Sequence, residues 1–291
     1  EYMRYEGMVY RPPSEARSLI IQLTIGCARN TCTFCSMYKE KKFRVRRLEE
    51  VAEDLRSAKQ YYGSYVQRIF LADGDALVVK TEDLFSILKV IRQLFPRLER
   101  VSAYGAPLDV LAKTPEELKL LKEAGLDMIY IGAESGDDEI LRDVKKQATA
   151  EQIREACLKL KAAGIKVSVT LISGLGGRDR LEQHAVASGR LVSAVKPEYV
   201  SILTLMLEPG TPLYEQHKAG KFELLTADEV AREMVLFLEN TDSQGSIFRS
   251  NHASNYVPLG GTLNQDTPKL LAQLHQVMEQ RAYKPEGFRG L

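Results

Sequence analysis

The sequence predicts an α/β fold, namely a partial (β/α)6 TIM-like barrel with a C-terminal helical extension. Six short apolar segments alternate with amphipathic ones, the pattern of a parallel sheet with right-handed helical crossovers. Gly125 and Gly164 each end an amphipathic segment just before the next apolar one. The stretches around them, 118–126 and 158–165, resemble each other, as repeated helix–strand units would. Since a full barrel has eight such units, six units predict a partial barrel or an open doubly wound sheet, of which we favour the barrel.

The predicted elements follow one another along the chain. Buried-strand patterns occupy residues 19–24, 67–71, 100–104, 128–132, 165–172 and about 199–205. Helical patterns occupy residues 48–61, 81–95, 149–163, 181–194, 226–239 and 267–280, and a further one from the Thr114 capping box to Ala124. We expect residues 1–214 to form the barrel core and residues 215–291 to form an extension that packs on it.

Composition narrows the class of protein. Of the 291 residues, 44% are hydrophobic and 27% are charged, which is an ordinary globular mixture. Lys and Arg number 40 and Asp and Glu 39, so the net charge of +1 argues against a protein that coats nucleic acid. No stretch reaches the ~18 consecutive apolar residues of a membrane span. We expect a cytoplasmic protein, in which clustered cysteines bind metal more often than they pair.

Three of the four cysteines form the most informative cluster in the sequence. Cys27, Cys32 and Cys35 directly follow the first predicted strand, where the loops of α/β folds carry chemistry. Three thiolates suit a [4Fe–4S] cluster with one open iron, a zinc site with a distant fourth ligand, or redox chemistry. The spacing alone leaves these alternatives open. Cys157 shares a helix face with apolar residues, so it is predicted to lie in the core.

The cysteine loop resembles that of the radical S-adenosylmethionine (SAM) superfamily. The usual spacing there is three residues between the first two cysteines and two between the last two, whereas this chain has four and two. The second spacing matches, as does the aromatic Phe34 before Cys35. After the second predicted strand, Asp73, Gly74 and Asp75 resemble the family's Gly-Gly-Glu-Pro motif, with Asp73 in place of the first glycine. That motif binds the methionine amino group of SAM.

Later segments extend the resemblance to about residues 19–214. Glu134 and Ser135 follow the fourth predicted strand, where family members bind polar groups of the cofactor. Lys146 lies twelve residues beyond Glu134, where related enzymes often place a cation for the methionine carboxylate. The segment 172–177 resembles the family's Gly-Leu-Pro-Gly segment, and 209–212 matches a recurrent element. The branch of anaerobic coproporphyrinogen oxidases, methylthiotransferases and elongator-type enzymes is the most similar one.

This resemblance implies a mechanism and a set of site residues. Three irons of a [4Fe–4S] cluster would be held by Cys27, Cys32 and Cys35. The reduced cluster would cleave SAM to a 5′-deoxyadenosyl radical, which abstracts hydrogen from a small-molecule substrate. The implied partners are that substrate and a flavodoxin- or ferredoxin-like electron donor, with no nucleic acid and no membrane. Cofactor contacts would come from Phe34, Asp73, Gly74, Asp75, Glu134, Ser135 and Lys146.

Three further residues are candidates for substrate or catalytic contacts. Tyr104 and Thr170 lie near the predicted ends of the third and fifth strands, and would face the barrel mouth. His252 lies in a polar stretch, residues 250–255, that is rich in hydrogen-bonding groups. Loop capping for the first two and a surface position for His252 are the ordinary structural alternatives.

Other interpretations of the same segments remain possible at this point. Asp73–Asp75 suits a simple turn, Glu134 and Ser135 suit a helix cap, and Lys146 suits a solvated basic turn. The glycines of 174–177 could cradle a phosphate. The basic run of residues 39–47 could guide an anionic substrate or an acidic donor. Two alternative functions are a tRNA- or nucleobase-modifying member of the same superfamily and a non-catalytic zinc-binding scaffold.

Overall fold

A computed structural model describes residues 4–29 and 31–291 of the chain. The strands are β1 (Leu19–Gln22), β2 (Thr24–Ile25), β3 (Arg44–Val45), β4 (Arg68–Ala72), β5 (Arg100–Tyr104), β6 (Leu126–Glu134), β7 (Lys166–Ser173), β8 (Tyr199–Thr204), β9 (Ile247–Arg249) and β10 (Gly260–Thr262). The helices are α1 (Leu48–Tyr62), α2 (Thr81–Leu94), α3 (Pro107–Ala112), α4 (Pro115–Ala124), α5 (Asp138–Asp143), α6 (Ala150–Ala162), α7 (Leu181–Val195), α8 (Pro212–Lys218), α9 (Ala227–Glu239) and α10 (Thr267–Gln280).

Eight strands form one sheet in the order β1-β4-β5-β6-β7-β8-β9-β10. The pairs β1–β4, β4–β5, β5–β6, β7–β8 and β8–β9 are parallel, whereas β10 pairs antiparallel with β9. Strands β2 and β3 form a separate antiparallel pair. The predicted α/β class with a largely parallel sheet is therefore confirmed.

The first of two compact units contains the described residues of Glu1–Asn30 together with Met37–Ile131 and Glu155–Val167. Helix α1 packs on α2 and α2 packs on α4, so their apolar faces are buried. Helix α4 begins with the predicted capping box, in which Thr114 and Glu117 exchange side-chain to backbone hydrogen bonds. It ends at Gly125, whose φ of 118° lies in the left-handed region that favours glycine.

The second compact unit contains Thr31–Ser36, Gly132–Arg154 and Ser168–Leu291. Its strands β7 and β8 pair from Ser168 with Tyr199 to Ser173 with Thr204. Helix α9 packs on α7 and α10 packs on α9. The predicted boundary between a core and an extension at residue 214 remains a prediction.

The long predicted elements are confirmed to within about two residues at most ends, since their hydrophobic periodicity is strong. The short ones were missed: α3, α5 and α8 have six or seven residues each, and β9 and β10 have three each. Helices of fewer than two turns and strands of three residues are too short for a hydrophobic period to be recognised in the sequence. Among the described residues, no helix is long and apolar enough to cross a bilayer.

Candidate functional site

The cysteine loop is divided between the two units. Cys27 belongs to the first unit and Cys32 and Cys35 to the second, and all three side chains are half-buried. In the part of the chain described, no three His, Cys, Asp or Glu side chains are arranged as a metal site. Cys157 is fully buried in α6, which confirms its predicted core position.

Within the second unit, backbone hydrogen bonds fix the part of the loop that carries Cys32 and Cys35. Thr33 donates its amide to the carbonyl of Val144 at 3.0 Å and accepts the amide of Leu213 at 3.0 Å. Phe34 packs against a buried apolar cluster that includes Val144 and Leu213. The side chain of Phe34 therefore anchors the loop in the core. Its predicted contact with the cofactor remains a prediction.

Within the first unit, the segment after β4 holds the residue before Cys27. The Gly26 amide donates to the Asp73 carboxylate at 2.8 Å, and the Gly74 amide donates to the Gly26 carbonyl at 3.2 Å. A Cβ atom on Gly74 would lie 3.1 Å from the Cβ of Cys27. Glycine at position 74 thus permits a close approach that a larger residue would obstruct.

The Asp73 carboxylate has internal partners on both oxygens. It is fully buried, forms a salt bridge with Lys41 at 3.0 Å, and accepts hydrogen bonds from the Gln22 amide and from Gly26. A buried charge needs such partners, because removing it from water is costly. The Asp73 side chain therefore fixes the loop before Cys27, and a direct contact with the cofactor remains a prediction.

Asp75 begins a chain of charged groups that leads back to the cysteine loop. Its Oδ1 atom accepts the amides of Leu77 at 3.0 Å and Ala106 at 3.2 Å. Its Oδ2 atom is buried and has no hydrogen-bond partner among the described residues. Burial and the neighbouring Asp109 raise the pKa of Asp75 well above its usual range, which favours a protonated carboxyl that can donate to Asp109.

Asp109 in turn holds Arg29, which lies between Cys27 and Cys32 in the sequence. The Arg29 guanidinium contacts the Asp109 carboxylate through two hydrogen bonds, at 3.1 and 3.3 Å. The pKa of Asp109 is lowered because the hydrogen bonds from Asp75 and Arg29 outweigh its burial. Asp75 and the Asp109–Arg29 ion pair thus connect the motif after β4 with the loop after β2.

The stability of Asp75→Asn relative to the wild type should increase as the pH rises. An amide cannot ionise but can donate to Asp109 as the protonated acid does. The raised pKa means that the folded wild type retains a proton which the unfolded chain releases above about pH 4. Wild-type stability therefore falls with rising pH, by up to ~1.4 kcal/mol per pH unit for this proton. Urea unfolding of both proteins at pH 5 and pH 8 measures the effect. If the difference in unfolding free energy between the variant and the wild type is the same at both pH values, the prediction is wrong.

Glu134 and Lys146, which the sequence placed twelve residues apart, lie together in the second unit. Lys146 Nζ is 3.6 Å from Glu134 Oε1, and each side chain is 15% exposed. Burial raises the pKa of Glu134, and the lysine opposes that shift. A Cβ on Gly132 would lie 2.5 Å from Glu134 Oε1 and 3.7 Å from Lys146 Nζ. Gly132 therefore leaves room beside this ion pair.

Ser135, by contrast, faces inward. It is fully buried, and its hydroxyl forms hydrogen bonds with His184 Nδ1 at 2.8 Å and with the amide of Asp137 at 3.1 Å. His184 and the buried Glu233 beyond it were not singled out from the sequence. Only the fold brings these residues of α7 and α9 to the end of β6.

The three candidate catalytic residues lie in different settings. Tyr104 is the last residue of β5, and its ring packs edge-on against Phe70 at 5.0 Å and Tyr130 at 6.1 Å between centroids. Thr170 lies within β7, three residues before its end, and pairs with Ser201. Thr170 is thus further inside its strand than the sequence suggested.

His252 has a structural role in its own turn. Its Nδ1 atom accepts the amide of Ser254 at 3.1 Å, and burial and Lys284 lower its pKa. Ser254 and Asn255 are buried and bond to Thr204 at the end of β8. Two of the polar residues in the stretch 250–255, Ser254 and Asn255, therefore cap the end of this strand.

The basic run after the cysteine loop is largely neutralised inside the first unit. Four of its six cations form salt bridges with carboxylates. Arg46 is buried and bonds to Asp54 at 2.8 Å, and Lys41 bonds to Asp73. The run therefore offers less free positive charge to an anionic partner than the sequence suggested.

A comparison with protein families assigns the chain. The sequence profile of the Radical SAM superfamily matches residues 21–186, more than half of the chain. The chain belongs to the radical SAM superfamily, as the cysteine loop indicated. Enzymes of this superfamily use a [4Fe–4S] cluster and SAM.

Individual relatives agree with this assignment. The heme chaperone HemW of Bacillus subtilis is 20% identical over 196 residues, which are 67% of this chain and 51% of that protein. A putative methylthiotransferase of Methanocaldococcus jannaschii is 30% identical over 166 residues, 53% of this chain and 35% of that protein. The chain thus spans about half or less of the length of these curated relatives.

Solved structures support the fold. The crystal structure of methylornithine synthase (PylB) aligns with a TM-score of 0.56 at 16% identity, covering 88% of this chain and 68% of that chain. The fold resembles those of TIM-barrel-like radical SAM enzymes, which confirms the predicted barrel type. The three half-buried thiols are soft donors of the kind that iron–sulfur clusters require, so the residues present fit the cofactor.

Proposed function

We propose that this chain is a radical SAM enzyme that abstracts a hydrogen atom from a small-molecule substrate. The observation that carries the proposal is the three-cysteine loop inside the segment that matches the family. When bound, the reduced cluster and SAM together supply the radical that attacks the substrate. Cys27, Cys32 and Cys35 would hold the cluster, and the residues around them would orient SAM and exclude water.

The remaining residues support this proposal through their positions. Gly74 and Asp75 lie in the segment that contacts the residues around Cys27, which suits backbone contacts to the amino group of SAM. The Glu134–Lys146 pair offers both an acceptor for hydroxyl groups and a cation for a carboxylate. Because each side chain is mostly buried, its interaction with a ligand would be weakly screened by solvent.

Lys146→Met should weaken SAM binding roughly 10–100-fold, because a charge-assisted hydrogen bond contributes about 1.5–3 kcal/mol. The iron content should be unchanged, since Lys146 is not a proposed ligand of the cluster. Titration calorimetry on the anaerobically reconstituted protein measures the affinity.

Lys145→Met is the matched control, because Lys145 is the exposed neighbour of Lys146. It should bind SAM as tightly as the wild type. Equal affinities for both variants would remove Lys146 from the proposed site.

The substrate class can be tested by isotope transfer. Reduced enzyme with SAM is incubated with deuterated candidate small molecules, and deuterium is measured in the 5′-deoxyadenosine formed. Transfer from a small molecule supports the proposal.

Transfer only from deuterated tRNA, together with tRNA binding at moderate salt, would instead support a tRNA-modifying enzyme. One relative, a tRNA uridine(34) acetyltransferase, matches 39% of this chain. Stoichiometric zinc without iron would support a scaffold.

A further inference from the structure

Four buried polar side chains form a chain inside the second unit, with one gap of 3.9 Å between His184 and Glu233. Ser135 follows β6, Ser173 ends β7, His184 lies on α7 and Glu233 lies on α9. Each is at most 4% exposed. Of these four residues, only Ser135 is among the proposed cofactor contacts. No step of the proposed reaction uses His184 or Glu233.

The hydrogen bonds give this chain a direction. The Asp137 amide donates to the Ser135 hydroxyl, which leaves the hydroxyl proton for His184 Nδ1 at 2.8 Å. The imidazole proton then lies on Nε2, which faces Glu233 Oε1 at 3.9 Å. Glu233 Oε1 also accepts the Ser173 hydroxyl at 2.7 Å and the Gly174 amide at 2.9 Å.

One end of the chain is incomplete. Glu233 Oε2 is buried and has no hydrogen-bond partner among the described residues. Glu233 also lines a cavity of about 10 Å³, together with His184 and mostly apolar side chains such as Ile202 and Phe237. This volume is close to what one water molecule needs, and a gap of 3.9 Å is too long for a direct hydrogen bond.

Such an arrangement is costly for a purely structural core. Burial raises the pKa of Glu233, and well-packed apolar residues would stabilise this region at least as well. The two ends of the chain, however, lie at two loops, one that carries the proposed SAM contact Glu134 and one that resembles the family's Gly-Leu-Pro-Gly segment. One end fixes the residues directly after Glu134, and the other fixes Gly174, which begins the glycine-rich segment 174–177.

We propose that His184 and Glu233 are a pair of positioning residues that holds these two loops in the arrangement required to bind SAM. This inference rests on the proposed function, because SAM is the ligand whose binding it explains. His184 acts through Ser135 on the loop that carries Glu134. Glu233 acts directly on the backbone of Gly174.

Two substitutions at His184 separate positioning from general stability. The side-chain amide of asparagine lies near the place of Nδ1, whereas that of glutamine lies near the place of Nε2. His184→Asn therefore keeps the partner of Ser135, and His184→Gln loses it. We expect His184→Gln to bind SAM about 10–100-fold more weakly, and His184→Asn to stay close to the wild type. Calorimetry on the reconstituted proteins measures both affinities.

Hydrogen exchange on the apoprotein gives a readout that needs no cofactor. Glu233→Met removes the acceptor for the Gly174 amide, so that amide should exchange at least ~10-fold faster. The Asp137 amide should exchange faster in His184→Gln than in His184→Asn. Thr241→Val is the control. Thr241 lies just beyond α9, and its hydroxyl donates a buried hydrogen bond to the Phe237 carbonyl without contacting either loop.

The outcomes separate the two proposals. If both His184 variants bind SAM like the wild type, or weaken it no more than Thr241→Val does, the positioning role is wrong. If both weaken SAM binding equally, the pathway through Ser135 is wrong. If the wild type itself binds iron but no SAM, the proposed function fails. In that case the positioning role is also wrong if the Asp137 amide exchanges equally in both His184 variants and the Gly174 amide exchanges in Glu233→Met as it does in the wild type.

Discussion

Replacing Cys27, Cys32 or Cys35 with alanine should abolish the iron–sulfur cluster and with it all cleavage of SAM. Each thiolate would hold one iron, so the loss of one ligand should lower the iron content from about four per chain to less than about one. Iron and sulfide analysis after anaerobic reconstitution measures this loss, and the brown colour of the cluster reports it directly.

Cys157→Ala is the internal control for the three ligand variants. Cys157 is fully buried in α6, so its loss should cost roughly 1 kcal/mol of stability and leave the iron content unchanged. A full complement of iron in Cys32→Ala, or its loss in Cys157→Ala, would contradict the assignment of the ligands.

Glu15→Leu should destabilise the folded protein by about 3–5 kcal/mol, because it removes the buried acceptor of one salt bridge and three hydrogen bonds. Glu15 is fully buried and forms a salt bridge with Arg100. It also accepts the hydroxyls of Ser102 at 2.6 Å, Tyr130 at 2.9 Å and Ser18 at 3.0 Å. Urea unfolding of the apoprotein at pH 7 measures the change.

Two further variants calibrate the result for Glu15. Ser14→Ala removes an exposed partner of the Tyr130 hydroxyl and should cost no more than ~1 kcal/mol. Glu15→Gln retains one acceptor and should lie between Ser14→Ala and Glu15→Leu. If Glu15→Leu unfolds at the same urea concentration as the wild type, this network does not stabilise the first unit.

The sequence predicted the long elements because their signals are local. The predicted capping box at Thr114 forms with Glu117, and Thr149 and Gln152 form a second one at the start of α6. Strands β9 and β10 could not be predicted in this way. They have three residues each, and β10 contains Gly260 and Gly261, which are typical of turns. Their pairing depends on contacts between distant parts of the chain.

The candidate site was predictable where a motif is continuous in the sequence. The cysteine loop and the spacing from Glu134 to Lys146 are of this kind, and the latter two side chains do lie together. Asp109 was missed because its role depends on Asp75, a residue 34 positions away whose pKa is raised by burial and by Asp109 itself in the folded protein. His184 and Glu233 were missed for the same reason, since isolated polar residues on amphipathic helices give no signal.

The most direct test of the central claim is the formation of 5′-deoxyadenosine. The reconstituted protein, reduced with dithionite under anaerobic conditions, is incubated with SAM, and the nucleoside is quantified by liquid chromatography. We expect 5′-deoxyadenosine from the wild type and none from Cys32→Ala. A wild-type protein with about four irons per chain that yields no 5′-deoxyadenosine, with or without candidate substrates, would contradict the assignment of this chain as a radical SAM enzyme.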